Sequence, residues 1–433
     1  MSKVSIFWYR RDLRLHDNAG LFHALNSGEK ILPIFIFDVN ILNKLPKDDA
    51  RVSFIHSELT KMNQYLMTFN TCIQLYHGSP IEIFKSLVKK YQIVNVFTNH
   101  DYEPYGMQRD QEIERFLDLN QIQFHSYKDQ VIFERNEITK KDGNPYVVYT
   151  PYSKKWLEAY KEIGKKHYLS EDLLNELSKE IDCTTLTLED IGFHQTARPI
   201  QNFIFNSRII NEYEETRNFP ALDNTSKLGP HLRFGTVSVR QMVSRANSQE
   251  NITFLKELIW REFFMQILWH FPHTNKKSFK SKYDRIPWRN DENEFKKWCE
   301  GNTGYPLVDA GMRQLNNTGF MHNRVRMITA SFLTKHLLID WRWGEAYFAS
   351  KLLDYEMASN VGGWQWASGS GCDAAPYFRI FNPYTQQQKF DKNFDYVRRW
   401  VPEFETDEYP RPIIEHKHAR ERALERYKKG LQQ

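Results

Sequence analysis

Residues 31–37 read Ile-Leu-Pro-Ile-Phe-Ile-Phe, an uninterrupted apolar run with the length of one buried strand. Similar runs, rich in Val, Ile and Phe, occupy residues 4–8, 72–76 and 93–98. Amphipathic segments that suit helices lie between them, at 51–69 and 80–91. Strands that alternate with helices favour a doubly wound α/β domain, in which helices cover both faces of a parallel sheet.

The loop after the first predicted strand carries charges in place of glycines. Residues 10–18 read Arg-Arg-Asp-Leu-Arg-Leu-His-Asp-Asn, so the glycine-rich fingerprint of a standard dinucleotide site is absent. A polar turn between a strand and a helix explains this segment without any ligand.

The pattern changes twice along the rest of the chain. Residues 129–201 are polar and irregular and predict a long linker with short helices. From residue 202 onward helical periodicity continues without a convincing strand. We therefore predict an α/β domain at 1–128, a linker at 129–201 and an all-α domain at 202–433.

Composition and charge exclude few functions. The net charge of +5 is compatible with a polyanionic partner, but many unrelated proteins share it. The four cysteines show neither metal-ligand spacing nor a disulfide framework, which favours a reducing compartment and no metal site. The first residues lack the apolar core of a secretion signal, and no stretch approaches 18 apolar residues. We expect a soluble, monomeric, cytoplasmic protein without a membrane partner.

One predicted helix carries an acid, an indole and a guanidinium on a single face. Glu257, Trp260 and Arg261 have the spacing i, i+3 and i+4. The indole suits a planar ligand and the carboxylate suits a polar atom of that ligand. Considered alone, the segment is better explained by a surface ion pair between Glu257 and Arg261 beside a core tryptophan.

A second predicted helix places Asn323 and Met327 on one face, with Arg324 beside them. The Asn amide offers a donor and an acceptor to a nucleobase or flavin edge, and Met is a soft, adaptable apolar contact. Considered alone, an amphipathic helix with solvated arginines explains this segment equally well.

Residues 354–383 carry the strongest signal for a site. Gly362, Gly363, Gly369 and Gly371 are poor residues for a helix interior and favour close approach of the backbone to a ligand. The indoles of Trp364 and Trp366 lie two positions apart and cannot share a helix face, so one is expected to point toward a pocket while the other is buried.

A hydroxyl-rich segment at 224–230, Asn-Thr-Ser-Lys-Leu-Gly-Pro, precedes another predicted helix. Free N–H groups at helix N-termini and in short turns, together with hydroxyls and a lysine, suit a phosphate. An ordinary helix cap has the same composition, so this signal is weak by itself.

These segments occur in the order and spacing of the photolyase/cryptochrome family, which the sequence resembles from residues 7–18 to the Arg-Ile-Phe-Asn-Pro motif at 379–383. The most specific stretches are 301–333 and 360–383. Most similar are the class I photolyases of cyclobutane pyrimidine dimers. The resemblance implies a Rossmann-like N-terminal antenna domain, a helical FAD-binding domain, and light-driven repair of UV-damaged DNA by electron transfer from photoexcited, reduced FAD.

The resemblance also implies roles for single residues. Asn360 matches the residue that faces flavin N5, and Arg326 is the expected partner of Asp354 at the edge of the flavin ring. Glu356 matches a second acidic position at that edge. The segment that holds the FAD phosphates corresponds to Tyr213, Thr225, Ser226, Lys227 and Leu228.

For the substrate, the resemblance places Glu257, Asn323 and Met327 against a flipped-out dimer, which Trp260 and Trp366 flank. If Glu257 hydrogen-bonds the dimer as an acid, its pKa is expected to be raised. Phosphates beside the lesion correspond to Arg217 and Arg324, and the electron-transfer chain to Trp364, Trp341 and Trp288.

Three other functions are weighed against dimer repair. A signalling cryptochrome shares the fold, but Asn360 is typical of photolyases and only about 50 residues follow the motif at 379–383. A (6-4) photoproduct enzyme is expected to carry His at 323 or 327. A non-catalytic binder of distorted or single-stranded nucleic acid would leave residues 360–373 unexplained.

The resemblance implies a second, light-harvesting chromophore in the N-terminal domain. Asn99, Tyr102 and Glu103 follow a predicted strand and are the candidate lining residues. The pigment is a folate, a deazaflavin, a second flavin, or absent.

Overall fold

The computed structural model describes residues 3–164, 166–179, 183 and 185–432; of the predicted linker, residues 165, 180–182 and 184 lie outside this description. The chain forms two compact units. Unit 1 comprises Met1–Glu137, Glu158–Phe203 and Lys227–Ser248, and unit 2 comprises Ile138–Leu157, Ile204–Ser226 and Gln249–Gln433. Because the units are discontinuous along the chain, the division at 1–128, 129–201 and 202–433 stays a prediction.

Unit 1 contains a five-stranded parallel sheet in the order β3-β2-β1-β4-β5. The strands are β1 Lys3–Tyr9, β2 Ile31–Asp38, β3 Gln74–Gly78, β4 Gln92–Asn99 and β5 Gln123–Tyr127. The four apolar runs are confirmed as strands, although β3 begins two residues later than expected. The edge strand β5, Gln-Phe-His-Ser-Tyr, was missed because it lacks an apolar run.

Both faces of the sheet are buried, which explains the continuous apolar run at 31–37. Successive side chains of a strand point to opposite faces. Ile34 and Ile36 therefore pack in one apolar core with Phe84 and Ile113, while the intervening Phe35 and Phe37 pack in another. Helices α1 Ala19–Leu25, α2 Val39–Leu42, α3 Ala50–Leu66, α4 Pro80–Lys90 and α5 Pro104–Leu119 follow the strands, and α8 Gly229–Phe234 and α9 Val239–Asn247 also belong to this unit.

Unit 2 is helical, and no sheet occurs among its described residues. Its core is built around Trp298, Leu315, Ile328 and Trp364, all almost completely buried. Its helices are α7 Ser207–Thr216, α10 Thr253–His270, α11 Glu292–Glu300, α12 Pro306–Thr318, α13 Asn323–Ser331, α14 Trp341–Lys351, α15 Met357–Ser368, α16 Pro383–Phe390, α17 Asp395–Trp400 and α18 His416–Gln432. Helix α6, Tyr149–Ile163, begins in unit 2 and ends in unit 1.

Cys72 and Cys183 form a disulfide within unit 1, which corrects the expectation that the cysteines are unpaired. The two residues lie 111 positions apart, and their Cα atoms are 6.0 Å apart. The spacing of the cysteines along the chain does not predict this pair, because only the fold brings the two segments together. Cys299 and Cys372 are free.

None of the described helices combines the length and the apolar character needed to cross a bilayer.

Candidate functional site

Helix α10 brings Glu257 against an arginine from helix α7. Arg217 follows the last residue of α7 and donates a hydrogen bond to the Glu257 carboxylate. The Glu257 side chain is 28% exposed. Burial raises the pKa of this carboxyl, and the positive charge of Arg217 opposes that shift without cancelling it. Arg261, one turn along α10, pairs instead with the buried Glu356 at 3.1 Å, so the suggested Glu257–Arg261 surface pair was wrong.

Trp260 lies flat against a second aromatic ring. Tyr149 stacks on its indole with ring centroids 3.7 Å apart and planes inclined by 8°. The Tyr149 hydroxyl donates to the Lys256 carbonyl at 2.7 Å, and its backbone N–H donates to Asp373 at 3.1 Å. Tyr149 therefore fixes the plane of the Trp260 indole. The sequence held no signal for this contact, because 111 positions separate the two residues.

Helix α13 places a second guanidinium close to Arg217. Arg324 donates to the Asn218 side chain at 2.6 Å and lies 4.4 Å from the centre of the Phe390 ring. Burial lowers the pKa of Arg324, and the nearby positive charge of Arg217 lowers it further. On the same helix Asn323 is exposed and Met327 half-buried, and the Met327 sulfur lies 3.6 Å from the Arg324 guanidinium.

The predicted ion pair between Arg326 and Asp354 is present, with 2.8 Å between the guanidinium and the carboxylate. Arg326 also donates to the Met321 carbonyl at 2.7 Å, so its orientation is fixed. The second carboxylate oxygen of Asp354 is buried, and no described residue hydrogen-bonds to it. The Thr225 hydroxyl is in the same situation. Buried polar atoms are rarely left without a partner, so both atoms are candidates to bind a ligand.

Asn360 on α15 is held by a residue that sequence reasoning missed. Its side-chain amide donates to the Glu345 carbonyl at 3.1 Å and to the Glu345 carboxylate at 2.9 Å. Burial raises the pKa of Glu345, and the bond from Asn360 opposes that shift. Because the amide nitrogen is engaged, the amide oxygen of Asn360 is the atom left for an outside donor.

The glycines of the 354–383 segment have structural uses that differ from the expectation. Helix α15 continues through Gly362 and Gly363, which were judged poor helix residues. A side chain at Gly362 would come within 2.2 Å of the Phe264 ring, so this glycine allows α10 and α15 to pack closely. Gly369 ends the helix with φ of 88°, a left-handed conformation that favours glycine.

The two indoles of α15 diverge, as expected from their spacing. Trp364 is 2% exposed and packs in the core against Phe348 and Trp298, whereas Trp366 is half-buried. Gly344 makes this packing possible, because a side chain there would lie 2.1 Å from the Trp364 ring.

The three predicted electron-transfer tryptophans all belong to the region of the unit 2 core. Trp341 is almost fully buried and Trp288 is half-buried. Among the described residues, no two of the rings of Trp288, Trp341 and Trp364 are in ring-to-ring contact; Trp364 instead contacts the backbone of α14 at Gly344, one turn from Trp341. Their role in electron transfer stays a prediction.

The predicted phosphate segment is divided between the two units. In unit 2, Tyr213 packs against Phe254, and the Arg217 guanidinium lies 5.3 Å from its ring centre; the Ser226 carbonyl accepts from Ile204 at 2.8 Å. In unit 1, Lys227 has φ of 54° and turns the chain tightly before Leu228 precedes α8.

The candidate antenna residues of unit 1 are all held by protein partners. Asn99 donates to Asp12 at 2.6 Å and to Asn18 at 2.8 Å. Tyr102 donates to Glu134, and Glu103 accepts from Arg233 at 2.6 Å. A cavity of about 410 Å³ lies elsewhere in this unit, and its lining includes Phe133, Tyr160, Lys166, Tyr168 and Arg240.

Comparisons with known proteins bear on both halves of the chain. Residues 5–171 match the family described as DNA photolyase, and residues 254–407 match the FAD binding domain of DNA photolyase. The deoxyribodipyrimidine photo-lyase of Agrobacterium fabrum is 37% identical, with 98% of this chain and 97% of that protein covered.

Solved structures agree with the sequence matches. A bacterial class III photolyase from Agrobacterium tumefaciens is similar with a TM-score of 0.88 at 34% identity, covering 100% of this chain and 98% of that one. An archaeal photolyase from Sulfolobus tokodaii with two FAD molecules has a TM-score of 0.82 at 31% identity, covering 99% and 100%. The fold, the FAD-binding region and the level of identity place this chain in the photolyase/cryptochrome family, as a DNA photolyase.

Proposed function

We propose that this chain repairs cyclobutane pyrimidine dimers in UV-damaged DNA, using light and reduced FAD as the electron donor. The observation that carries the proposal is the grouping in unit 2 of two like-charged arginines, Arg217 and Arg324, with Glu257. Burial and the charge of Arg217 both disfavour the charged form of Arg324, and a bound phosphate would offset both effects, so the two guanidinium groups suit a phosphate.

The residues present fit FAD. Asp354 keeps one buried carboxylate oxygen without a donor, and Thr225 keeps a buried hydroxyl without a partner. A flavin ring with its ribityl and phosphate groups offers N–H, O–H and phosphate oxygen atoms for such positions. Asn360 presents its amide oxygen, because Glu345 engages the amide nitrogen. Bound FAD supplies the light-absorbing electron donor, and the protein supplies binding and orientation.

Each remaining site residue has a separate task in this proposal. Trp260, backed by Tyr149, stacks on the extruded dimer, and stacking on an indole contributes about 1–3 kcal/mol per base. A dimer that pairs poorly costs less to extrude than an intact base pair. Glu257 in its protonated form donates a hydrogen bond to a dimer carbonyl, which stabilises negative charge on the dimer. Asn323, Met327 and Trp366 complete the contact surface.

Several finer points of the proposal extend beyond the family assignment. We propose a class I enzyme, with class III as the alternative that similarity to a class III photolyase at 34% identity supports. We also propose a cytoplasmic monomer; the Cys72–Cys183 disulfide is the feature that weighs against a reducing compartment. The substrate preference for dimers over (6-4) photoproducts rests on Asn323 and Met327.

A second chromophore is proposed for unit 1. The archaeal neighbour has two FAD molecules, and the cavity of about 410 Å³ has the size of a small-ligand pocket. Its aromatic residues Phe133, Tyr160 and Tyr168 suit a planar ring, and Lys166 suits an anionic group. Extraction of the purified protein followed by chromatography identifies whether one pigment or two are bound.

One experiment separates the proposed function from its alternatives. Purified protein is expected to show flavin absorption and, under near-UV or blue light, to remove dimers from irradiated oligothymidine. A coloured protein that leaves the dimers intact would favour a cryptochrome photoreceptor. A colourless protein that gains no activity after reconstitution with FAD would favour a non-catalytic nucleic-acid binder.

A further inference from the structure

A strongly basic segment precedes α11 in unit 2. Residues 272–285 read Pro-His-Thr-Asn-Lys-Lys-Ser-Phe-Lys-Ser-Lys-Tyr-Asp-Arg and contain five lysines and arginines against one carboxylate. That carboxylate, Asp284, is already engaged by Arg342 at 2.5 Å and by the Ser278 hydroxyl at 2.8 Å. The cations of this basic segment are exposed or half-buried: Lys276, Lys277, Lys280, Lys282 and Arg285.

These five cations lack acidic partners within the described part of the chain. No carboxylate oxygen there lies within 4 Å of any of them, whereas Arg313, Arg326 and Arg398 of the same unit each have such a partner. Lys280 and Lys282 both lie about 6 Å from the ring centre of Tyr283, so the two like charges are kept near one another. A cluster of this kind raises the local positive potential and attracts a polyanion.

The basic segment is tied firmly to the helix that carries Trp364 and Trp366. Gln365, the residue between the two indoles, donates to the carbonyls of Thr274 and Lys277 at 2.8 and 3.0 Å. Its side-chain oxygen accepts from the Phe279 N–H at 2.8 Å. These three bonds join the Gln365 side-chain amide to the backbone of the loop and hold the loop against α15.

A further bond connects the basic segment to the turn after α15. The Lys280 N–H donates to the Ser370 carbonyl at 2.9 Å. Burial lowers the pKa of Lys280, and the charge of Asp373, in the same turn, opposes that shift. The exposed lysines therefore have a defined position relative to the half-buried Trp366.

We propose that the basic segment binds phosphates of the DNA strands that flank the dimer. The inference rests on the proposed function, because the DNA is placed by the lesion at Trp260 and Trp366. Lysines that contact phosphates position the duplex without reading its sequence, and each contact makes binding more sensitive to salt. These lysines have no part in the proposed contacts at the lesion, where Arg217 and Arg324 bind the phosphates.

The test removes four charges from the basic segment and four from a control surface. The first variant combines Lys276→Gln, Lys277→Gln, Lys280→Gln and Lys282→Gln. The control variant combines Lys417→Gln, Arg420→Gln, Lys428→Gln and Lys429→Gln on α18, which are all exposed and belong to the same unit. Dissociation constants for a dimer-containing duplex are measured between 50 and 200 mM salt, and flavin content and circular dichroism verify folding.

The first variant is expected to bind the duplex at least about tenfold more weakly at 100 mM salt. The slope of log K against log salt is expected to fall by about 0.9 for each lost phosphate contact. The control variant is expected to keep nearly the wild-type slope. An unchanged slope in the first variant, or the same fall in both variants, would overturn the proposal.

Repair of a thymine dimer within a dinucleotide separates this inference from the proposed function. Such a substrate has no flanking phosphates, so the first variant should repair it at the wild-type rate. Loss of dinucleotide repair in this variant would show that the basic segment serves the catalytic site instead, and would overturn the inference. If the wild-type protein repairs neither substrate, the proposed function itself fails.

Discussion

Charged side chains are fully paired in one cluster of unit 1 and incompletely paired at the candidate site of unit 2. In unit 1, the acids beyond β4 are surrounded by arginines: Asp101 lies against Arg11 and Arg109, and Glu103 against Arg233. Burial would raise the pKa of Asp101, but the surrounding guanidinium groups outweigh it and hold that pKa well below its ordinary value. The charges of this cluster neutralise each other inside the protein.

In unit 2, pairing is incomplete at the site. The charge of Arg217 helps to lower the pKa of Arg324, one oxygen of Asp354 and the Thr225 hydroxyl are buried without a partner among the described residues, and the pKa of Glu257 is raised. Unit 1 also holds buried hydroxyls without a partner among the described residues, at Thr71 and Ser178, so an unpaired atom alone does not mark a site. The candidate site of unit 2 differs because its residues combine unpaired buried atoms with a raised carboxyl pKa and two like-charged arginines, whereas charge density alone marks no site.

The largest expected effect concerns what holds unit 1 together. Reduction of the Cys72–Cys183 disulfide should lower the free energy of unfolding of unit 1 by about 4 kcal/mol, because it frees a loop of 111 residues in the unfolded chain. Hydrogen exchange with and without reductant should show faster exchange in β2 and β3 and unchanged exchange in α13 and α15. Equal loss of protection in both units would contradict the division.

The second prediction exchanges one acid in each unit. Asp354→Asn removes a charge that holds Arg326 and should weaken FAD binding about 10- to 150-fold, since hydrogen bonds to charged groups contribute about 1.5–3 kcal/mol. The matched change Asp101→Asn should lower the melting temperature and leave the flavin dissociation constant unchanged. Fluorescence titration of each apoprotein with FAD measures the dissociation constant, and thermal unfolding measures the melting temperature. A similar loss of FAD affinity in Asp101→Asn would contradict the comparison.

The third prediction concerns the stacked pair. Trp260→Leu should weaken binding of a dimer-containing oligonucleotide by about 5- to 100-fold, as expected for the loss of one stacking surface. Tyr149→Leu should cause a smaller loss, because Trp260 remains but its plane is no longer fixed, and Tyr149→Phe should bind nearly as the wild type does. A Tyr149→Leu variant with unchanged affinity would show that Tyr149 does not position the indole.

The smallest expected effect is the pH dependence of Glu257. Because its folded-state pKa is raised, the carboxyl stabilises the protein below its unfolded pKa, near 4.3, and this stabilisation is lost as pH rises through the folded pKa. If repair uses the protonated carboxyl of Glu257, the repair yield should fall as the pH rises through the same folded-state pKa. Glu257→Gln should flatten the pH profiles of stability and of repair yield relative to wild type; identical profiles would exclude Glu257 as the titrating group.

Local pattern was sufficient for most of the fold. The apolar runs predicted four strands because parallel strands buried on both faces require continuous apolar residues. Strand β5 was missed because it lies at the edge of the sheet and alternates polar with aromatic residues, so it has no such run. The prediction that Gly362 and Gly363 are poor helix residues was wrong, because helix α15 continues through both. The helix propensity of Gly362 is poor, but close packing of Phe264 against it outweighs this; the space beside Gly363 is open, and nothing in the structure explains that glycine.

For the site, the sequence singled out residues and left their partners open. The resemblance pointed to Glu257, Trp260, Asn360 and Asp354, and Arg326 was predicted as the partner of Asp354. The partners Tyr149 and Glu345, and the pairing of Arg217 with Glu257, were not predicted. Such partners lie on other helices, and no periodicity along one helix reports the neighbour across a packed interface.

The sequence by itself determined the alternation of strands and helices, the helical character of the second half, and the family, because each is recorded in the order of residue types. Only the tertiary structure decided which polar groups are satisfied, that Cys72 bonds to Cys183, and that the lysines of 276–282 are tied to α15 through Gln365. The physical reason is that pairing depends on distance in space, and positions far apart along the chain become neighbours only after it folds.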